Sequence, residues 1–208
     1  MSTAMIVDDH PLIRMAVRMA LQEERYDVIA ECGDGVEAMQ SIRQQVPDLI
    51  LLDIGMPKLD GLAVIRRVRT LGYSCKILVL TSQSAQCYSA RCMKAGANGF
   101  LSKTDGATEL RQALRAVMSG FIYFPCLSGQ PLAGGESSTT EQALIERLSN
   151  RELAILQHLA RGYSNKEIGD LMLLSNKTIS TYKTRLIDKL QIKSVVNLAE
   201  FAKRNSLA

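Results

Sequence analysis

Residues 47–61 read PDLILLDIGMPKLDG, and the rest of the fold can be worked out from this stretch. Leu49–Leu52 is an unbroken apolar run, the pattern of a short strand buried on both faces. Asp53 follows at once. Gly55 and Pro57 then punctuate a turn, and Asp60-Gly61 opens an amphipathic, helix-length segment to Leu71. Similar short runs occur at Ala4–Val7, Asp27–Ala30, Lys76–Leu80 and Gly99–Leu101. Helix-length segments lie at Pro11–Gln22, Gly35–Gln45, Ala85–Ala95 and Thr108–Ser119. Five strands alternating with five helices predict an α/β fold built on a doubly wound, five-stranded parallel sheet.

Functional groups in such sheets gather beyond the carboxyl ends of the strands. That rule selects Asp8 and Asp9 after the first strand, Asp53 after the third, Thr81 at the end of the fourth and Lys103 after the fifth. Three close carboxylates repel one another, and a divalent cation is the natural compensation. Oxygen ligands of this kind suit Mg²⁺. A cation together with Lys103 would stabilise charge on a transferring phosphoryl group, which makes Asp53 a candidate nucleophile forming an aspartyl phosphate. A single Asp at a strand end is usually a turn or cap residue, and Asp60 is read that way. His10, beside the helix-opening Pro11, is read as a local structural residue.

The charge is unevenly spread along the 208 residues. Residues 1–125 carry 14 basic and 13 acidic side chains, 126–147 carry 1 and 3, and 148–208 carry 10 and 5. The middle segment begins CLSGQPLAGGESSTTEQ, too poor in bulky apolar residues to fold, and 126–147 is expected to be a flexible linker. The basic end points to an anionic partner such as nucleic acid. Five cysteines, Cys32, Cys75, Cys87, Cys92 and Cys126, show no CxxC spacing, which argues against a zinc ribbon or a disulfide framework. No apolar run approaches the roughly 20 residues of a membrane helix, and no secretory signal is visible, so a cytoplasmic location is expected.

In the basic segment Ser149 and Glu152 form a capping box, and Leu153, Leu156 and Leu159 share one helix face up to Arg161-Gly162. Ser164 and Glu167 form a second box. Ser175 caps a third helix to about Leu190, and Ser194 a fourth to about Arg204. Two short helices joined by a tight turn, the second basic, predict a small all-α four-helix domain of the helix-turn-helix type. On the third helix Ile179, Leu186 and Leu190 face inward. Lys177, Thr178, Ser180, Thr181, Lys183, Thr184 and Arg185 are the candidate DNA contacts, hydroxyls for base edges and cations for phosphates. On the fourth helix Val195, Leu198, Ala199 and Ala202 form one stripe, a candidate dimerisation face or simply the domain core.

The first half resembles the receiver domain of bacterial two-component response regulators. The resemblance rests on Asp8-Asp9-His10-Pro11, Asp53 with Gly55-Met56-Pro57 and Asp60-Gly61, Thr81, Ala95 to Phe100, and Lys103. It implies that Asp53 is phosphorylated by a sensor histidine kinase or a histidine phosphotransfer domain, and that Asp8, Asp9, Asp53 and the backbone carbonyl of Gly55 hold Mg²⁺. It further implies that Thr81 and Lys103 contact the phosphoryl group and that the aromatic Phe100 moves with activation. Phe100 lacks the hydroxyl that many receivers carry there, so any switch rests on packing.

The second half is similar to the LuxR-type helix-turn-helix of the NarL/FixJ class, through Leu148 to Glu152, Ser164 to Ile168, Leu174-Ser175, Lys177-Thr178-Ile179 and Lys189-Leu190. This implies a phosphorylation-dependent regulator that binds double-stranded promoter DNA as a homodimer when phosphorylated, with RNA polymerase a further candidate partner. A receiver of this kind accepts and slowly loses its phosphoryl group and is not a dedicated enzyme. A haloacid-dehalogenase phosphatase would need a second Asp where Gly55 stands. A small-molecule sensor of the LuxR type would not need Asp8, Asp9, Asp53 and Lys103 together.

Overall fold

A computed structural model describes residues 1–125, 141, 143–145, 147–205 and 207. The chain divides into two compact units, Met1–Leu127 and Ser128–Ala208. The first alternates β1 (Thr3–Val7), α1 (Pro11–Glu23), β2 (Asp27–Cys32), α2 (Gly35–Gln44), β3 (Leu49–Leu52), α3 (Gly61–Thr70), β4 (Lys76–Thr81), α4 (Ala85–Ala95), β5 (Gly99–Ser102) and α5 (Ala107–Met118). The strands are all parallel in the order β2-β1-β3-β4-β5, so the winding reverses at β1 and leaves a crevice between the ends of β1 and β3.

Register aligns the strand ends that matter. Val7 pairs with Leu52, Leu52 with Val79 and Val79 with Phe100. Each strand contributes to two cores because successive side chains point to opposite faces. Ala4, Ile6, Leu49, Leu51, Leu78, Leu80 and Leu101 form one core with Val17 and Leu21 of α1 and Leu110, Leu114 and Val117 of α5. The alternate residues Met5, Val7, Ile50, Leu52, Ile77, Val79 and Phe100 are buried on the other face. Burial on both sides explains why these strands read as continuous apolar runs.

After α5 the chain returns along the edge of the sheet. Tyr123 donates its N–H to Asn98 O (3.0 Å) and accepts from Phe100 N (2.7 Å), forming an isolated parallel bridge to β5 that the sequence pattern does not announce.

The second unit contains α6 (Asn150–Ala160), α7 (Asn165–Met172), α8 (Asn176–Leu190) and α9 (Val195–Arg204). Every one of these helices starts from a serine cap, and both expected capping boxes are present. Leu153, Leu156, Ile168, Ile179, Leu186, Leu190, Leu198 and Phe201 close its core. Of the linker expected over 126–147, residues 126–140, 142 and 146 lie outside the described residues. Its end does not look like a linker: Glu141 and residues 143–145 are helical, and Ile145 is buried. Glu141 pairs with Arg204, and its Oε2 accepts from Asn205 Nδ2 at 2.7 Å. Ala143-Leu144-Ile145 supplies the apolar surface that the preceding Gly/Ser-rich stretch lacks. Among the described residues no helix is long and apolar enough to cross a membrane.

Candidate functional site

The backbone ladder of the sheet continues one residue past the strands and sets the acidic cluster in place. Asp8 N donates to Cys32 O (3.0 Å), Asp53 N to Val7 O (2.8 Å) and Lys103 N to Thr81 O (2.9 Å). Lys103 Nζ then stands 2.7 Å from Asp8 Oδ2 and 2.7 Å from Asp53 Oδ2, with all three side chains at 7% exposure or less. Burial works against the Lys103 ammonium, but its hydrogen bonds to Asp53 and Asp8 outweigh that and raise its pKa. One buried cation faces two buried carboxylates and the half-buried Asp9, so the cluster remains net negative. Thr81 is buried at the same edge, and its Oγ1 accepts from Gln83 N at 3.2 Å. Gly55 touches the cluster through its N–H, which donates to Asp53 Oδ1 at 3.0 Å. Phe100 is 1% exposed and belongs to the core beneath.

One ligand atom from each of Asp8, Asp9, His10 and Asp53 can be chosen so that all lie within 4.8 Å of one another. Asp9 Oδ1 is buried without a hydrogen bond, although His10 Nδ1 stands 2.8 Å away in an ion-pair contact. An orphaned carboxylate oxygen beside two more carboxylates is a donor set that fits a hard dication. His10 occupies the N-cap of α1, next to Pro11; its side chain makes no cap bond, and its ring faces Asp8 and Asp9.

Several supports are tertiary and invisible in the motif. Asp34 caps α2 by accepting from Val36 N (2.8 Å) and Glu37 N (2.9 Å), and it also pairs with Lys58 of the loop after β3. Burial would raise the Asp34 pKa, but Lys58 and the two backbone donors hold it below the ordinary value. Asp60 caps α3 through Ala63 N at 2.8 Å, as expected. Gly61 is required by close approach, since a Cβ there would lie 2.2 Å from Asp53 O. Arg14 Nη1 donates to Asp8 O at 2.7 Å.

In the second unit Lys177, Ser180, Thr181, Thr184 and Arg185 are exposed on α8, whereas Thr178 and Lys183 are half-buried. Thr178 serves the cap: its N–H donates to Ser175 Oγ at 3.1 Å, and its hydroxyl lies 2.7 Å from the same atom. Ser180, Thr181 and Thr184 donate to the carbonyls one turn back at 3.1, 3.1 and 3.3 Å, and the Ser180 oxygen also accepts from Asn165 Nδ2 at 3.3 Å. Arg185 lies over the Tyr182 ring at 5.7 Å. Burial pulls the Lys183 ammonium below its ordinary pKa.

The dimerisation stripe expected on α9 is corrected in part. Leu198 and Ala202 are completely buried and belong to the core, because their i, i+4 face packs on α6 and α8. Val195 is exposed and Ala199 half-buried, and the exposed apolar neighbour is Val196.

α8 is anchored by Glu152, 3% exposed, which accepts from Lys189 Nζ at 2.8 Å and from Ser149 N at 2.7 Å. Burial opposes its charge, but these donors keep its pKa below the ordinary 4.5. A depressed carboxylate stabilises above its unfolded pKa and loses that contribution as pH falls through the folded one. Glu152→Gln should therefore lower the stability of the second unit by about 2 kcal/mol at neutral pH and by progressively less below about pH 4.5. Calorimetry of the full chain across that range checks this; an equal deficit at every pH would disprove it.

Residues 4–115 match the family model of the response regulator receiver domain, and residues 146–202 match that of the luxR family of bacterial regulatory proteins. BvgA of Bordetella pertussis, a transcription regulator of virulence factors, is 47% identical over 204 residues, covering 98% of each chain. EvgA of Escherichia coli K12, a DNA-binding transcriptional activator, is 36% identical over 204 residues, again 98% of each. RcsB, solved as two dimers bound to two parallel DNAs, has a TM-score of 0.57 at 26% identity, covering 97% of this chain and 98% of that one.

Proposed function

The chain belongs to the two-component response regulators that join a receiver domain to a LuxR-type DNA-binding domain, and from that premise we propose a transcription regulator switched by phosphorylation of Asp53. It is a DNA-binding regulator rather than an enzyme. The observation that carries the switch is Lys103 Nζ held between Asp8 and Asp53, 2.7 Å from each, in a buried, net-negative site.

In this reading an oxygen of the Asp53 carboxylate attacks phosphorus, and the bond to the donor's nitrogen or oxygen breaks. Asp8, Asp9, Asp53 and the Gly55 carbonyl would hold Mg²⁺, which supplies charge neutralisation for the incoming phosphoryl group. Lys103 exchanges its contact with Asp53 for a phosphoryl oxygen. The Thr81 hydroxyl turns from Gln83 N toward another, and the space it leaves is taken up by Phe100 through packing alone. The donor is a sensor histidine kinase or a histidine phosphotransfer domain. The altered face shifts an existing equilibrium toward a homodimer that presents two recognition helices to a two-fold promoter site. The layout is a receiver over 1–125, a connecting segment and a DNA-reading domain at the C-terminal end, acting in the cytoplasm, where RNA polymerase is a further partner.

Lys177, Ser180, Thr181, Thr184 and Arg185 form the DNA face, with Lys183 at its border and Thr178 serving the cap. Lys177→Ala and Arg185→Ala should each weaken promoter binding and reduce the slope of log affinity against log salt by about 0.9 per lost phosphate contact. Promoter footprinting tests the whole reading. Phosphorylated protein should protect the site at about 10-fold lower concentration than unphosphorylated protein, a coupling of about 1.4 kcal/mol. Equal protection in both states would remove the switch.

A further inference from the structure

We propose that Asn165 is a positioning residue for sequence recognition: its amide fixes the Ser180 hydroxyl of α8 as a hydrogen-bond acceptor, so that Ser180 selects a base carrying an exocyclic amino group, adenine or cytosine, over guanine or thymine. The inference rests on reading the exposed side of α8 as the DNA face and adds what one of its residues recognises there.

A serine hydroxyl has one hydrogen to donate and two lone pairs to offer. The Ser180 hydrogen is committed, since Oγ donates to Asn176 O at 3.1 Å. One lone pair is committed as well, because Asn165 Nδ2 donates to the same Oγ at 3.3 Å. What remains toward solvent is a single lone pair on an exposed side chain. Thr181 and Thr184 make the same bond to the preceding turn, at 3.1 and 3.3 Å, and among the described residues no donor from α7 meets either hydroxyl. Such a hydroxyl can swing about its side-chain torsion and donate elsewhere by breaking one bond, whereas Ser180 would break two.

The orientation of the Asn165 amide follows from the same network. With the Ser180 hydrogen on Asn176 O, only an N–H can meet the Ser180 oxygen. Asn165 therefore presents Nδ2 and leaves Oδ1 buried without a hydrogen bond. An unpaired buried acceptor is unfavourable, so the amide holds a hydroxyl on the neighbouring helix at a net cost to its own hydrogen bonding. Its backbone is firmly placed: Asn165 is the first residue of α7, directly after the Ser164 cap, and the Ser164–Glu167 capping box fixes that turn.

The major-groove edges divide according to what they offer such an oxygen. Adenine presents its N6 amino group and cytosine its N4 amino group, while guanine presents N7 and O6 and thymine O4, all acceptors. A group that can only accept is attracted by the first two bases and repelled by the others.

The experiment selects binding sites from a randomised duplex library with the full chain, treated with acetyl phosphate and Mg²⁺. It compares wild type, Ser180→Ala, Asn165→Leu, Asn165→Ala and the double variant Ser180→Ala with Asn165→Leu. Leu keeps the branched shape of Asn and replaces the unpaired acceptor by apolar surface, and Ala covers the case in which Leu overpacks. The position whose preference disappears in Ser180→Ala is the Ser180 contact. There the wild type should favour adenine or cytosine on one strand by at least about 5-fold. Both Asn165 variants should bring that ratio within about twofold and leave preferences elsewhere unchanged, and the double variant should match Ser180→Ala. A merely structural loss would weaken all sequences alike and leave the ratio as it was. An unchanged ratio in both Asn165 variants, a preference for guanine or thymine at that position, or no position altered by Ser180→Ala would each overturn the proposal while the DNA face stands. A wild type that enriches no sequence would overturn the DNA face itself.

Discussion

Asp53→Asn should reduce phosphoryl labelling by acetyl phosphate and Mg²⁺ to background, at least about 100-fold below the wild type. The reason is chemical. An amide oxygen is a far poorer nucleophile than a carboxylate and leaves no stable acyl phosphate. The fold has little reason to suffer. The Asn oxygen can still accept from Gly55 N, as Asp53 Oδ1 does at 3.0 Å, and Lys103 keeps its 2.7 Å contact with Asp8 Oδ2. The new amide N–H₂ faces the Lys103 ammonium, an unfavourable pairing, but one carboxylate fewer also relieves repulsion in a crowded anionic site. The melting temperature should therefore shift by only a few degrees. Intact-mass measurement checks the outcome: one phosphoryl group per wild-type chain and none on the variant. Equal labelling of both would remove Asp53 as the acceptor.

The parts of this site that the sequence announces are those where local chemistry and topology coincide. A short run of branched apolar residues ending in Asp is both a buried strand and the start of its functional loop, so Asp8, Asp53 and Lys103 can be placed from pattern alone. The same holds for Ser149-Glu152 and Ser164-Glu167, where four residues specify a helix start and the start appears as expected. Contacts that close across the chain are not legible in that way. The Asp34–Lys58 pair joins residues 24 apart in sequence, and nothing local to either announces the other. The bridge from Tyr123 to β5 likewise depends on how the chain turns after α5. On α9 the sequence offers apolar residues on more than one side. Only packing decides that Leu198 and Ala202 meet the core while Val196 stays 69% exposed. His10 shows a third kind of gap: its position next to Asp-Asp and Pro is plain, but the direction of its ring is not.

Gly169→Ala should disable DNA binding while leaving Asp53 labelling untouched. Gly169 lies in the last turns of α7, and Leu174 N donates to its carbonyl at 2.8 Å as the chain leaves the helix. Between them Leu173 adopts φ 53 and ψ 45, the left-handed conformation that reverses the chain, at a cost of about 1 kcal/mol for a residue with a Cβ. A Cβ at Gly169 would stand 2.6 Å from Leu174 O. That oxygen is backbone, so no side-chain rotation relieves the clash and the turn itself must open. Forced displacement of this kind costs about 3 kcal/mol, while the better helix propensity of Ala returns about 1. The net of about 2 is large for a unit of about 60 residues, whose whole stability is roughly 3 to 9 kcal/mol. The functional loss should exceed even that. α8 begins at Asn176, two residues after Leu174, so the error enters directly at the base of the helix that carries Lys177, Ser180 and Thr181. Promoter affinity should fall at least about 10-fold, which needs a misplacement worth only about 1.4 kcal/mol. Calorimetry should show the second unit melting lower. A variant that melts and binds promoter like the wild type would mean that the turn yields freely and does not set the position of α8.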